Sequence, residues 1–152
     1  MVLIKDRFTN GVISGIVASI IQNLLGFISY YLLHFAQARY LDFSSEMLFG
    51  HFPENFIETI FAQLGQIIFD GFLGIIFAML VPLIQKENFL FKGWYFGATS
   101  WFLIFSLGIL FKVPSLHHPA WQTVVSHFFS ASAYGIVLAF TFRKLEQETV
   151  IT

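Results

Sequence analysis

The sequence has no cysteine and few charged residues. Of its 152 residues, 11% are Asp, Glu, Lys or Arg and 57% are hydrophobic, whereas an average soluble domain has about 25% charged residues. Without cysteine the chain has no disulfide, no thiolate metal ligand and no cysteine nucleophile. A net charge of −1, from 8 Lys+Arg and 9 Asp+Glu, provides no basic surface for nucleic acid. This composition excludes a disordered chain and indicates a membrane protein.

Charged residues are nearly absent from four long stretches of the chain. These are 8–38, 59–85, 93–111 and 113–142, and Asp70 is the only Asp, Glu, Lys or Arg within them. A helix needs about 20 mostly apolar residues to span a bilayer, whereas a β-barrel shows short alternating segments. The sequence therefore predicts one all-α domain, a polytopic membrane protein with four transmembrane helices. We place the helices at about 10–34, 57–81, 90–111 and 119–142.

The segments between the spans carry signals for helix ends. The 36–55 loop mixes apolar with acidic residues, which predicts a short helix at the membrane interface in 41–50. Asn55 and Glu58 have the spacing of a capping box at the start of the second span. The first span is longer than the hydrophobic segment of a signal peptide, so we expect it to be retained.

Lys and Arg are distributed unequally over the segments that flank the spans. Two of them, Arg39 and Lys112, lie in the 36–55 and 112–118 loops. The other six lie at the termini and in the 83–92 loop, namely Lys5, Arg7, Lys86, Lys92, Arg143 and Lys144. Because basic residues concentrate on the cytoplasmic side, we predict a multi-pass protein of the cell (inner) membrane with both termini cytoplasmic.

Small residues follow one face of the first and third predicted helices. Membrane helices pack through such faces, because close backbone approach and interhelical hydrogen bonds replace the hydrophobic effect in lipid. We predict that these faces serve helix packing and could join copies in a homo-oligomer. A ligand-lined surface is the alternative. The residues are Gly11, Gly15, Ser19, Gly93, Gly97 and Ser100.

A stripe of polar residues on the second predicted helix ends at Asp70. Four residues at the spacing i, i+4, i+7 and i+11 lie on one helical face, namely Thr59, Gln63, Gln66 and Asp70. A charge near the bilayer centre costs about 2.5–3.5 kcal/mol on insertion scales, so Asp70 is expected to face the bundle interior and to have partners. The predicted polar cluster, assembled by depth, is Asn23, Gln63, Gln66, Asp70, His127, Ser130 and Tyr134.

Three roles remain open for this cluster. Burial favours the neutral carboxylic acid, so Asp70 could act only as a hydrogen-bonding residue that holds helices in register. Asp70 and His127 could instead form a cation or proton site, as in coupled transporters. The cluster could also be the polar wall of a small-molecule pocket. We therefore predict transport or binding of a small solute or ion centred on Asp70. The alternative is a non-catalytic accessory or structural membrane protein.

Catalytic and metal-binding motifs are missing from the sequence. It has no nucleophile elbow, phosphate-binding loop, dinucleotide fingerprint or metalloprotease motif. We predict no enzymatic activity and no cofactor, with the lipid bilayer rather than nucleic acid as partner. His51, His117 and His118 are the residues considered for a metal site, but adjacent helical residues point about 100° apart and do not readily share a metal. Solvated loops are the expected alternative.

Short motifs at the junctions between loops and spans support a resemblance to a known group. They are Arg39-Tyr40-Leu41-Asp42-Phe43, Gly93-Trp94-Tyr95-Phe96-Gly97 and Phe111-Lys112-Val113-Pro114-Ser115-Leu116. With the four-span layout, the whole chain resembles small uncharacterised membrane proteins of Gram-positive bacteria. The resemblance implies a bacterial cell membrane as the location and carries over no catalytic or binding residue.

Overall fold

The computed structural model describes residues 6–83 and 87–148, and all regular structure in these ranges is helical. Four helices, which begin at Arg7, Phe56, Phe89 and Trp121, are long and apolar enough to cross a membrane. The prediction of an all-α membrane protein with four spanning helices is confirmed.

In chain order the helices are α1 (Arg7–Phe27, continued by a π-helical turn at Ile28–Leu32), α2 (Tyr40–Phe49), α3 (Phe56–Leu80, continued by a 3-10 turn at Val81–Leu83), α4 (Phe89–Leu110), α5 (Pro114–His117) and α6 (Trp121–Glu148).

The last helix extends further than the span predicted for it. The sequence predicts a span that ends near residue 142, whereas α6 continues to Glu148. Arg143 and Lys144 end the apolar segment but not the helix, because both residue types favour helical conformation. At the start of α3, the Asn55 side chain accepts a hydrogen bond from the Glu58 backbone N–H at 2.9 Å, as the predicted cap requires.

The short helix predicted at 41–50 is present as α2, which packs against α3 at one end of the bundle. Asp42 fixes its first turn. Its carboxylate accepts a hydrogen bond from the Arg39 backbone N–H at 2.6 Å and two from the Arg39 guanidinium at 2.6 and 3.1 Å. The helix ends at Gly50, whose φ of 81° is a conformation that glycine adopts without strain.

Glycines bring α3 against α1 and α4 against α6. A Cβ atom at Gly74 would overlap the carbonyl oxygen of Gly11, and one at Gly135 would overlap that of Gly93. Helices approach this closely only where no side chain stands between them. Four residues of the predicted small-residue faces thus pack within one chain, Gly11 and Gly15 against α3 and Gly93 and Gly97 against α6.

The long helices form a row of contacts. Within the described residues the closely packed pairs are α3–α1, α1–α6 and α6–α4, and α3–α4 is not among them. We call the end of the bundle where Arg7 and Glu146 lie 3.4 Å apart the terminal end, and the opposite end, which holds α2 and α5, the α2 end. Near the terminal end, the Phe77 ring bridges α3 and α4, at 5.6 Å from the Phe89 ring and 5.3 Å from the Phe96 ring.

The outward faces of the spanning helices are apolar. Ile20, Ile68, Phe102 and Phe129 are each more than half exposed. A soluble monomer rarely exposes contiguous apolar surface of this kind, whereas lipid tails cover it without cost. The surface and the helix lengths together describe a membrane-embedded protein.

Two neighbouring glycines of α3 provide a test of this packing. Gly74→Ala is expected to lower stability by about 1–3 kcal/mol, because its Cβ meets the backbone of α1. Gly71→Ala is the matched control, since its Cβ would lie 3.7 Å from the side chains of Val12 and Ile16, which is ordinary contact. Thermal unfolding of the purified variants in detergent measures both. Equal midpoints for the two variants would contradict the packing described.

Candidate functional site

Asp70 lies in the middle of α3 and connects three helices. Its side chain is buried, with the residue 3% exposed. The hydroxyl of Ser19 on α1 donates to Asp70 Oδ2 at 2.5 Å, and Gln66 Nε2, one turn away on α3, lies 3.5 Å from the same oxygen. The hydroxyl of Tyr134 on α6 donates to the Asp70 backbone carbonyl at 2.6 Å. Both the side chain and the backbone of Asp70 are therefore held by neighbouring helices.

Asn23 and Gln63 extend these hydrogen bonds toward the α2 end. Asn23 Nδ2 donates to the Ser19 carbonyl at 2.9 Å and lies 3.2 Å from the Ser19 hydroxyl. Gln63 Nε2 lies 3.4 Å from Gln66 Oε1. The structure thus brings together five of the seven residues predicted for the cluster. We call the connected set the polar network: Ser19, Asn23, Gln63, Gln66, Asp70 and Tyr134.

The structure places His127 away from the polar network. It is fully buried, with Nε2 3.2 Å from the Ala38 carbonyl oxygen. The Tyr40 ring stacks on the imidazole at a centroid distance of 3.9 Å, and the Tyr40 hydroxyl donates to the His127 carbonyl at 2.7 Å. The Phe43 and Phe105 rings approach the imidazole at 5.0 and 5.9 Å. His127 therefore connects α2 with α6 and does not pair with Asp70.

Ser130 also lies outside the polar network. Its hydroxyl donates to the Ser126 carbonyl at 3.1 Å within α6, a common arrangement for serine in an apolar helix. The Ser126 hydroxyl in turn donates to Ser29 at 2.7 Å, which joins α6 to the π-helical turn after α1. The sequence predicts Ser130 in the cluster from its depth, but its contacts are those of a helix-packing residue.

A cavity of about 380 Å³ lies between α3 and α4, with α6 behind it and α2 at one side. This volume is within the range of about 300–1,000 Å³ that small-molecule sites occupy. Apolar side chains such as Leu73, Trp101 and Ile104 form most of the wall. Asp70 and Tyr134 are at its base. The buried carboxyl group therefore borders an apolar space large enough for a small molecule.

Two further residues of the cavity wall extend the predicted set. Ser100, predicted as a packing residue, lines the cavity, and its hydroxyl donates to the Phe96 carbonyl at 2.9 Å. Gln22 lines it too and is 5% exposed, and its Oε1 has no hydrogen-bond partner among the described residues. Its depth beside Asn23 was the available signal in the sequence, but only the fold shows that it reaches the cavity.

The residues considered for a metal site are spread over the α2 end. His51 Nδ1 lies 3.9 Å from a carboxylate oxygen of Glu54 and 3.9 Å from one of Glu58. The rings of His117 and His118 lie 4.2 Å apart at an interplanar angle of 49°. In 6–83 and 87–148, no three His, Asp or Glu residues are arranged to hold a metal ion. The donor set at Asp70 consists of hydroxyl and amide groups, which suits hydrogen bonding.

No protein-family model, curated protein or solved structure matches this chain. The fold and the site define the class of protein: a four-helix membrane protein with a buried carboxyl group beside an interior cavity.

The separate position of His127 leads to a prediction for α2. His127→Ala removes the ring that stacks on Tyr40 and the bond to the Ala38 carbonyl, so amide hydrogen exchange across Tyr40–Phe49 should increase. Ser130→Ala is the matched control on the same helix, because its hydroxyl bonds only within α6 among the described residues. An exchange increase centred on Asp70 instead of α2 would show that His127 acts through the polar network.

Proposed function

We propose that the protein binds a small solute within the membrane, in the cavity between α3 and α4, as the binding step of transport or sensing. Asp70 recognises a hydrogen-bond-donating or cationic group of that solute. The supporting observation is a carboxyl group, 3% exposed, at the base of a mostly apolar cavity of about 380 Å³. A buried carboxylate is costly unless it is paired, so a donor placed in the cavity gains most at this residue.

The geometry favours solute binding over a proton or cation relay. His127, the second titratable residue considered for a relay, is enclosed by Tyr40, Phe43 and Phe105. The cavity walls are apolar beyond the polar network, which suits an organic molecule better than a hydrated ion.

A structural role is the second candidate, and one observation favours it. Asp70 already accepts bonds from Ser19 on α1 and from Tyr134 on α6, so it contributes to the register of three helices. A satisfied buried network of this kind can serve only to specify packing. The two candidates differ in whether Asp70 affects binding of a molecule added from outside.

Fluorescence of Trp101, which lines the cavity, tests the proposed function. The chain has 3 tryptophans, so Trp94→Phe with Trp121→Phe leaves Trp101 as the only reporter. Titration with n-butylammonium should change its emission saturably. Asp70→Asn should weaken this binding about tenfold or more, because hydrogen bonds to charged groups contribute about 1.5–3 kcal/mol. The same substitution should weaken the binding of n-butanol, which carries no charge, much less.

Glu58→Gln is the control, because it removes a carboxylate from the same helix outside the cavity lining. It should bind n-butylammonium as the unchanged chain does. If the response is not saturable, or if Asp70→Asn binds equally well, solute recognition by Asp70 is excluded. A loss of thermal stability in Asp70→Asn without any change in binding would then identify the structural role.

We also propose that the protein lies in a bacterial cell membrane with its termini in the cytoplasm and α2 outside. Among the described residues, Arg7, Arg143 and Lys144 lie at the terminal end, as does Lys92, whereas Arg39 and Lys112 lie at the α2 end. Lys5 and Lys86, which belong to the same prediction, lie outside the described residues. The excess of basic residues at the terminal end supports this orientation.

Single cysteines in the cysteine-free chain test this orientation. His51→Cys should react with a membrane-impermeant maleimide in intact cells, because His51 is exposed at the α2 end. Gln147→Cys, exposed near the end of α6, should react only after the cells are permeabilised. The reverse labelling pattern would place the termini outside.

A further inference from the structure

The cavity between α3 and α4 has a buried base and an exposed rim. Asp70, Gln66 and Tyr134 at the base are 3%, 4% and 2% exposed. Other lining residues are large, apolar and exposed by 44–67%, namely Met47 and Leu48 on α2, Phe69 on α3 and Leu107 on α4. A cavity whose lining changes from buried polar to exposed apolar opens through its apolar side.

This opening lies in the side wall of the bundle. The side wall is open there because α3 packs on α1 and α4 packs on α6, while Phe77 bridges α3 and α4 nearer the terminal end. Phe69 precedes Asp70 in the middle of α3, so this part of the rim is at the depth of the hydrocarbon core. Molecules that pass the rim at this depth come from lipid.

The apolar wall and the polar base of the cavity contact different parts of a bound molecule. An apolar body that leaves lipid for the apolar wall gains or loses little, because lipid tails are as apolar as leucine. A polar head within the hydrocarbon lacks partners, and it finds them at Asp70 and at Gln22, whose Oε1 is unpartnered among the described residues. Recognition is therefore concentrated at the head group.

We propose that the occupant is a membrane-dissolved amphiphile, an apolar body with one cationic or hydrogen-bond-donating head, which enters from the bilayer between α3 and α4 and places its head at Asp70. This inference rests on the proposed function and adds to it the class of molecule and its route. A hydrophilic solute from water would have to cross the rim formed by Leu48, Phe69 and Leu107.

A spin label at Ser100→Cys, in the half-buried cavity wall, tests the route in lipid bilayers. We expect collisions with lipid-soluble oxygen to exceed those with the water-soluble nickel(II) ethylenediaminediacetate complex, as at the lipid-facing control Ile68→Cys. His51→Cys at the exposed α2 end is the water-facing control and should show the opposite preference. Ile104→Cys, also in the wall, replaces Ser100→Cys if that variant does not fold.

The class of molecule is tested with the same labelled chain and probes of one chain length. Added to the bilayer, n-dodecylammonium should immobilise the label, whereas n-dodecanoate should not, and Asp70→Asn should abolish the effect. A label that collides mainly with the nickel complex overturns the lipid route. Immobilisation by n-dodecanoate, or none by n-dodecylammonium, overturns the class of molecule. Saturable Asp70-dependent binding of n-butylammonium at Trp101 would leave the proposed function standing in either case, and its absence would remove both.

Discussion

The glycine contacts of α1 with α3 and of α4 with α6 determine the interior of this protein. They fix α3 and α4 to different partners, and the packing of α1 on α6 keeps those partners together. The two outer helices of this row are then joined through Phe77 near the terminal end, and the space toward the α2 end remains a cavity. In water such a gap between apolar walls would favour collapse. In lipid it need not close, because the hydrophobic effect does not act between helices there.

The same contacts decide what lies at the base of the cavity. Gly15 is one of the positions where α1 touches α3, and the atom it meets is the backbone carbonyl of Asp70. Ser19 follows Gly15 by one helical turn on the same face of α1, which is why its hydroxyl reaches the Asp70 carboxyl group. Tyr134 holds the Asp70 carbonyl from α6. The carboxyl group is therefore held in place by the fold itself, so the proposed binding need not supply the cost of ordering it.

Helix periodicity and depth in the membrane predict many of the contacts around Asp70, but they do not predict those of Ser19 and His127. Helices that cross one membrane align residues by depth, so Gln66, Asp70 and Tyr134 could be expected near one another. Depth does not give the rotation of a helix about its axis, so Ser19 was expected to pack rather than to bond Asp70. His127 was misplaced for a different reason. Its partners come from Ala38 and α2, and no periodicity shows that this short segment folds back onto α6.

The donors around Asp70 bear on why a carboxyl group is found there. Gln66 Nε2, one turn away on α3, and the Ser19 hydroxyl on α1 both act as donors toward Asp70 Oδ2, so these two neighbours use Asp70 as an acceptor. The neutral amide of Asn, which has the same size, would offer an acceptor oxygen to the same two donors without the cost of a titratable group in the membrane. Helix register alone therefore does not account for the residue type. The proposed occupant of the cavity accounts for it, because a cationic or donating head gains more from a carboxylate than from a neutral oxygen. A bound molecule thus explains better than packing why a titratable group, Asp70, is kept within the membrane despite its cost.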